Sequence, residues 1–241
     1  RRSPVALMFH PEGPSLVELT RQALASTERG YDLLASKFDV TPFRTPDALL
    51  TPFFAHVFAG GPVARALDVA CGTGAQLTHL APFVTGRLTG VDFSQGMLDE
   101  ARRRLGPRPE LVKLDARALP FEREFDLVTS AGAFGHFVGA DEDALLAGIS
   151  RALVPGGRFV FLTTPMPKAT SPANWMARGF NAVMHVRNAL VTPPFIMFYL
   201  TFTWPEVKPT LERHGFDVSA RDGLLPGRLS KVVAVTATRR G

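Results

Sequence analysis

Three aspartates and two glycines set the chemistry open to this chain. Asp68 sits in the run Ala66-Leu-Asp68-Val-Ala70, which leads into Cys71-Gly72-Thr73-Gly74, a glycine-rich turn that opens a helical stretch at Ala75. Such a turn lets a ligand approach the backbone closely, and the helix start beyond it offers free N–H groups. Asp92 closes the next apolar run 20 residues after Gly72, where an open α/β sheet sets a carboxylate to accept both hydroxyls of a ribose. Asp115 closes a third run, followed by Ala116. Three carboxylates thus gather toward the carboxyl edge of one sheet, where crevice ligands bind.

The loop narrows the ligand. A nicotinamide fingerprint counted from Gly72 puts its third glycine or alanine at Leu77, a side chain too large for close helix–strand packing. A Walker loop needs Gly-Lys-Ser/Thr, and here Gly74 is followed by Ala75-Gln76. Asp68 is badly placed beside a pyrophosphate and well placed beside an ammonium group.

These residues need a frame. From Ala66 onward, short β-rich runs alternate with helical stretches, the pattern of a parallel sheet covered by helices on both faces. Expected strands are 66–70, 87–92, 110–115, 125–130, 157–164, 216–221 and 231–238, with helices from about Ala75, Ser94 and Asp141. The fold class expected is α/β: a Rossmann-like, seven-stranded, mostly parallel sheet forming a domain over 62–241. Residues 1–61 form an N-terminal helical extension or lid, with helical periodicity over Ser15–Arg29, Tyr31–Phe38 and Pro46–Phe58. The Thr41-Pro42 and Thr45-Pro46 steps break it, because the residue before proline is pushed out of the α region. Residues 165–202 are an apolar cap insertion, and Thr203-Trp-Pro-Glu206 reads as a capping box opening a last helix that ends at Gly215.

Composition bounds the class. The chain has 241 residues, 46% of them hydrophobic and 20% charged, the balance of one elaborated globular domain. A single cysteine forms no internal disulfide, and no Cys/His cluster has zinc spacing, so no metal is expected. No basic-apolar-small export signal follows Arg1, and a reducing cytoplasm is the expected compartment. Net charge is +5, with five lysines among 27 basic residues. The densest basic run, Arg102-Arg103-Arg104, reads as the solvated end of a helix.

The segments Asp68-Val-Ala-Cys-Gly-Thr-Gly74, Gly90-Val-Asp92-Phe-Ser-Gln-Gly-Met97-Leu98, Leu114-Asp115-Ala116-Arg-Ala-Leu-Pro120-Phe121, Phe125-Asp126-Leu-Val-Thr-Ser130 and Leu153-Val-Pro-Gly156-Gly157 resemble, in order, the motifs of class I S-adenosylmethionine-dependent methyltransferases. The resemblance is to the type 11 and quinone-biosynthesis-like small-molecule group, and covers about half of the chain. It implies S-adenosyl-L-methionine as cofactor. Gly72 and Gly74 would line its methionine and ribose portion, with the backbone of Ala70 and Cys71 at the amino-acid end and Asp68 orienting that end through the loop. Ala70 departs from the glycine often found there. Asp92 would hold the ribose hydroxyls, Phe93 and Met97 would sandwich adenine, and Asp115 with the Ala116 amide would read its amino edge. Ser130 and Ala131 would lie near the transferred methyl. Tyr31 to Phe38 and Phe43-Arg44-Thr45 resemble the aromatic N-terminal helices that close over the cofactor, with Tyr31 in that cover and Arg44 facing the cofactor carboxylate.

The resemblance implies methyl transfer by in-line displacement, and it places His136, after the fourth strand, at the crevice as the candidate base. Phe134 and Phe137, with Trp175, Phe180, Met184, Phe198 and Tyr199 of the insertion, would form an apolar acceptor pocket, the core of a helical cap, or both. An aromatic or lipid-like small molecule is the expected acceptor. DNA is not expected: Ser130-Ala-Gly-Ala lacks the Pro-Pro motif of amine-methylating DNA enzymes, and Cys71 lies in the cofactor loop. An RNA acceptor, a catalytically inactive cofactor-binding partner or sensor, and a peripheral membrane role are the weaker alternatives. Acceptor identity and oligomeric state are not encoded in any motif.

Overall fold

In a computed structural model of the chain, residues 12–225 and 227–241 are described. The segment after Arg1 searched for an export signal lies largely outside them.

The sheet has seven strands: β1 (Ala66–Val69), β2 (Leu88–Asp92), β3 (Glu110–Lys113), β4 (Phe125–Ser130), β5 (Leu153–Thr163), β6 (Phe216–Arg221) and β7 (Val233–Arg239). Their order is β3-β2-β1-β4-β5-β7-β6, with β1 to β5 parallel and β7 antiparallel to both neighbours. This is the expected Rossmann-like sheet. The order reverses between β1 and β4, and that switch point opens a crevice beyond the carboxyl ends of the strands. β5 starts four residues before its expected start at Gly157, and its pairing with β4 slips between Phe125 and Leu127.

Alternation along the strands feeds two cores, since neighbouring side chains leave a strand on opposite faces. Leu67, Val69, Val128, Phe159, Phe161, Val233 and Val235 face one way, with α6 (Ala140–Ala152) and α8 (Lys208–Arg213) over them. Ala66, Leu127, Val160 and Ala234 face the other way, under α4 (Ala75–Leu80), α5 (Gln95–Leu105) and α3 (Asp47–Val57). α3 sets Leu50, Phe53, Phe54 and Val57 into this second core, so the last helix of the N-terminal extension is a layer of the sheet domain.

The first two N-terminal helices differ from the single expected helix over 15–29. α1 (Leu16–Leu24) starts at a Ser15–Glu18 capping box, and α2 (Thr27–Leu34) starts afresh at Ser26, whose hydroxyl accepts from Arg29 N at 3.2 Å. A serine satisfies more backbone as an N-cap than inside a helix, and the chain breaks there. α2 tightens into a 3-10 segment, Ala35–Val40.

The insertion is one helix, α7 (Pro172–Leu190), followed by an irregular return over 191–207. The expected capping box at Thr203 is present only as a Thr203 Oγ1–Glu206 Oε2 contact of 2.9 Å, and α8 begins at Lys208. Pro209 accounts for the late start: it sits in the first turn of α8, where its missing N–H leaves nothing unpaired. Among the described residues no helix is long and apolar enough to cross a membrane.

Candidate functional site

The pocket lies at the β1/β4 switch point, beyond the carboxyl ends of the strands. Its floor is the turn after β1. Gly74 caps α4 in the left-handed region, at φ 82°, and a Cβ there would lie 2.7 Å from Leu105 Cδ1; only glycine meets both demands. Ala70 also adopts a positive φ, 56°, a conformation costing an L-residue about 1–2 kcal/mol, so the departure from glycine at this position leaves strain in the loop.

Asp92, at the end of β2, ties loop and sheet together. Its Oδ2 accepts from Gly72 N at 2.8 Å and its Oδ1 from Ser94 N at 2.9 Å. Burial pushes its pKa up to about 6, against the pull of these backbone donors. The carboxylate faces the pocket with lone pairs to spare, and further donors would hold it charged.

Behind the floor is a polar cluster. Asp68 is fully buried; its Oδ1 accepts from Gln76 Nε2 at 2.7 Å and from Thr129 Oγ1 at 3.0 Å. Burial raises its pKa far above the ordinary carboxylate range. Asp68 Oδ2, Gln76 Oε1 and Ser130 Oγ are buried without partners among the described residues, each at a cost of about 1–3 kcal/mol. Gln76 is itself among the residues that line the pocket.

The roof comes from the N-terminal segment. α2 is pinned to the start of α5 by Asp32, whose Oδ1 accepts from Ser94 Oγ at 2.6 Å and Gly96 N at 3.0 Å. This places Tyr31 in the pocket, edge-on to Phe93 with ring centroids 6.0 Å apart. Within the 3-10 segment, Asp39 accepts from Thr73 Oγ1 at 2.6 Å and pairs with Arg104 and with Arg44, the latter at 3.5 Å. Arg44 also reaches Asp47 at 3.1 Å, so its guanidinium lies at the pocket mouth already held by two carboxylates.

The far wall follows β4. Ala131, Gly132, Ala133 and His136 line it. His136 Nδ1 contacts the Ile196 carbonyl and its Nε2 lies 2.8 Å from Tyr31 Oη. A carbonyl only accepts, so Nδ1 carries the hydrogen and Nε2 is the free base, accepting from the tyrosine. Burial lowers the His136 pKa, and burial together with the Asp92 charge raises that of Tyr31. The proton therefore rests on the phenol.

Of the residues singled out in the sequence, Tyr31, Arg44, Ala70, Cys71, Gly72, Asp92, Phe93, Met97, Ala131 and His136 line the pocket. Gly74, Asp68 and Ser130 sit behind it. Asp115 stands off it: its carboxylate caps the turn Ala116–Ala118, accepting from Arg117 N at 2.9 Å and gripped by the Arg117 guanidinium. β3 ends at Lys113, and the arginine two residues beyond Asp115 holds its carboxylate. Phe134 is likewise core, stacked 4.2 Å from Phe202, Phe198 packs on His185 and Trp175 is exposed. Sequence reasoning missed Asp32, Asp39, Thr73 and Gln76. Gln76 alone had a signal, its place in the first turn of a helix that starts at the loop.

Comparison with known proteins agrees with the geometry. The methyltransferase domain family matches residues 66–157. Demethylmenaquinone methyltransferase of Staphylococcus aureus (strain JH9) is 35% identical over 164 residues, 63% of this chain and 67% of that protein. The structure of DhpI in complex with SAH covers 91% of this chain and 98% of its own at 20% identity, with a TM-score of 0.68. An O-methyltransferase family protein from Burkholderia thailandensis covers 94% of this chain and 67% of its own at 20% identity, with a TM-score of 0.67. The pocket suits S-adenosyl-L-methionine on its own chemistry: a buried carboxylate able to accept from hydroxyls, apolar side chains beside it, and in its lining Gln76, whose buried amide oxygen has no partner among the described residues. The chain belongs to the class I S-adenosyl-L-methionine-dependent methyltransferases.

Proposed function

We propose that this methyltransferase acts on an apolar, aromatic or lipid-like small molecule carrying an ionisable hydroxyl or acidic carbon, with His136 as the base that receives its proton. S-adenosyl-L-methionine supplies an electrophilic methyl group on a sulfonium. Asp92 would hold the ribose hydroxyls, Phe93 and Met97 the adenine, and Gln76 with the loop 70–74 the amino-acid end, with Asp68 orienting Gln76 from behind. Ser130 supports the wall at Ala131, Arg44 faces the carboxylate, and Asp115 and Ala116 are left out while Arg117 holds the acid.

The observation that carries the proposal is the Tyr31–His136 pair, with Nδ1 fixed on Ile196 and Nε2 open to a donor. An acceptor hydroxyl that displaces the Tyr31 O–H from Nε2 would hand its proton to the imidazole as its oxygen bonds to the methyl carbon, the S–C bond of the sulfonium breaking and its electron pair staying on sulfur in the departing thioether. Phe38, Phe43, Ala131 and Ala133 around it exclude water and favour an apolar acceptor. The name of the Staphylococcus aureus relative, a demethylmenaquinone methyltransferase, supports a quinol-like acceptor class. The test is turnover with phenolic and quinol acceptors at saturating cofactor. His136→Ala is expected to lose about 100-fold or more in kcat, as removal of a general base does, while S-adenosylhomocysteine binding persists. Full turnover by His136→Ala would end the base assignment.

A further inference from the structure

Among the described residues, nothing packs on the outer face of α7. Trp175, Met176, Val183, Val186 and Leu190 are each 60–79% exposed, and their spacing puts Met176, Val183, Val186 and Leu190 along one side of a helix about 28 Å long. Leu16, Val17 and Leu24 of α1 are also exposed, and α1 is joined to α7 through Arg187, which donates to the carbonyls of Ala23 and Ala25 at 2.8 and 2.7 Å. The inner side of α7 is polar and occupied: Asn181 bonds the backbone of Tyr199, and Asn188 that of Phe195. Phe180 also turns inward, onto Tyr199 at 4.8 Å, so α7 has an inner side already packed and an outer apolar stripe left to solvent, more apolar surface than packing on its own domain uses.

Charge identifies what covers this face. Residues 165–202 contain Lys168, Arg178, His185 and Arg187 and no aspartate or glutamate. Arg178 donates to Asn174 Oδ1, and Arg187 to backbone carbonyls, neutral acceptors that leave both charges uncompensated. A second copy docked face to face would set these cations against each other with no carboxylate between them. An anionic bilayer offers what the face lacks: negative headgroups for the cations and acyl chains for the apolar stripe.

We propose that the outer face of α7 is a docking surface for an anionic lipid bilayer, with the helix lying in the interface plane and Trp175 at headgroup level. The return segment on its inner side carries Phe195, stacked on Tyr31 at 6.2 Å, and Ile196, the partner of His136, so a docked enzyme holds its catalytic pocket one layer above the lipid. The proposal goes beyond the methyl-acceptor reading and does not depend on it, since binding is measured without turnover.

The test is co-sedimentation of the full chain with phosphatidylcholine vesicles, with and without phosphatidylglycerol, at low and high salt, and with tryptophan emission followed in parallel. The expected result is binding to the phosphatidylglycerol vesicles that weakens with salt, is weaker on phosphatidylcholine alone, and shifts tryptophan emission to the blue. Val183→Glu/Leu190→Glu is expected to weaken binding about 25-fold or more, and Arg178→Gln about fivefold, from about one fivefold factor per interfacial charge. Both variants should bind S-adenosylhomocysteine as the wild type does, which shows that they fold. Absence of wild-type binding at low salt, equal binding by Val183→Glu/Leu190→Glu, or a concentration-dependent dimer dissolved by that variant would overturn the proposal, the last assigning the face to a second copy.

Discussion

At the scale of single residues, two buried groups give the site its pH dependence, with opposite signs. Asp92 has its pKa raised from 3.8 to about 6 by burial. In the free protein its share of stability is full below the ordinary value and is lost as pH rises through about 6. Binding runs the other way: ribose hydroxyls donate to the charged form, so cofactor affinity should fall as pH drops below about 6, by up to tenfold per unit. Calorimetry with S-adenosylhomocysteine between pH 5 and 7 (roughly spanning that value) checks this, and Asp92→Asn should flatten the profile; a flat wild-type profile would show that the carboxylate does not titrate against the ligand. The depressed pKa of His136 adds stability above the ordinary histidine value that is lost as pH falls toward the folded one. Arg44 is bound on both sides by Asp39 and Asp47, and Arg44→Ala is expected to raise the cofactor dissociation constant severalfold in the same titration. An unchanged constant would take it out of the site. The glycine loop and Asp92 were placed in the sequence by strand–loop–helix spacing and His136 by the resemblance, and Gly72, Asp92 and His136 line one pocket. Spacing also placed Asp115, but says nothing of the Arg117 guanidinium that holds its carboxylate.

At the scale of elements, the site depends on α2 resting against α5. Two hydrogen bonds to the Asp32 carboxylate make that contact, and hydrogen bonds to a charged group contribute about 1.5–3 kcal/mol each. Asp32→Ala should therefore raise amide hydrogen exchange across α1 and α2 and weaken S-adenosylhomocysteine binding severalfold, while α3, held by Phe53 and Phe54 in the sheet core, stays protected. Unchanged protection in α2 would mean that the aromatic contacts of Tyr31 suffice to dock it. Phe54→Ala, by contrast, should cost about 3–5 kcal/mol in chemical denaturation, as a large buried ring does. The sequence showed that helices precede the sheet, and their proline boundaries, since the steps at Pro42 and Pro46 act locally. It did not show the break at Ser26 or the docking through Asp32, because a cap competes with helix periodicity and a tether 62 residues away in sequence, Asp32 to Ser94, leaves no periodic trace.

At the scale of the whole molecule, strand order is what turns scattered residues into one site. The reversal between β1 and β4 brings the loop 70–74, Asp92 and the 131–136 segment around a single crevice, and the N-terminal aromatics close it. That architecture was predictable from alternating β and helical runs, whereas the outward apolar face of α7 was not: composition shows that residues 165–202 are apolar, and only the fold shows which side they turn to solvent. The account stands first on the cofactor site. The most direct test is calorimetric titration of S-adenosyl-L-methionine and S-adenosylhomocysteine into the wild type and Asp92→Ala, with circular dichroism confirming that the variant is folded. Micromolar binding by the wild type, weakened by about 2 kcal/mol or more in the variant, as loss of a charged hydrogen-bond acceptor requires, is the predicted result. Failure of both ligands to bind the wild type, or equal binding by Asp92→Ala, would contradict it.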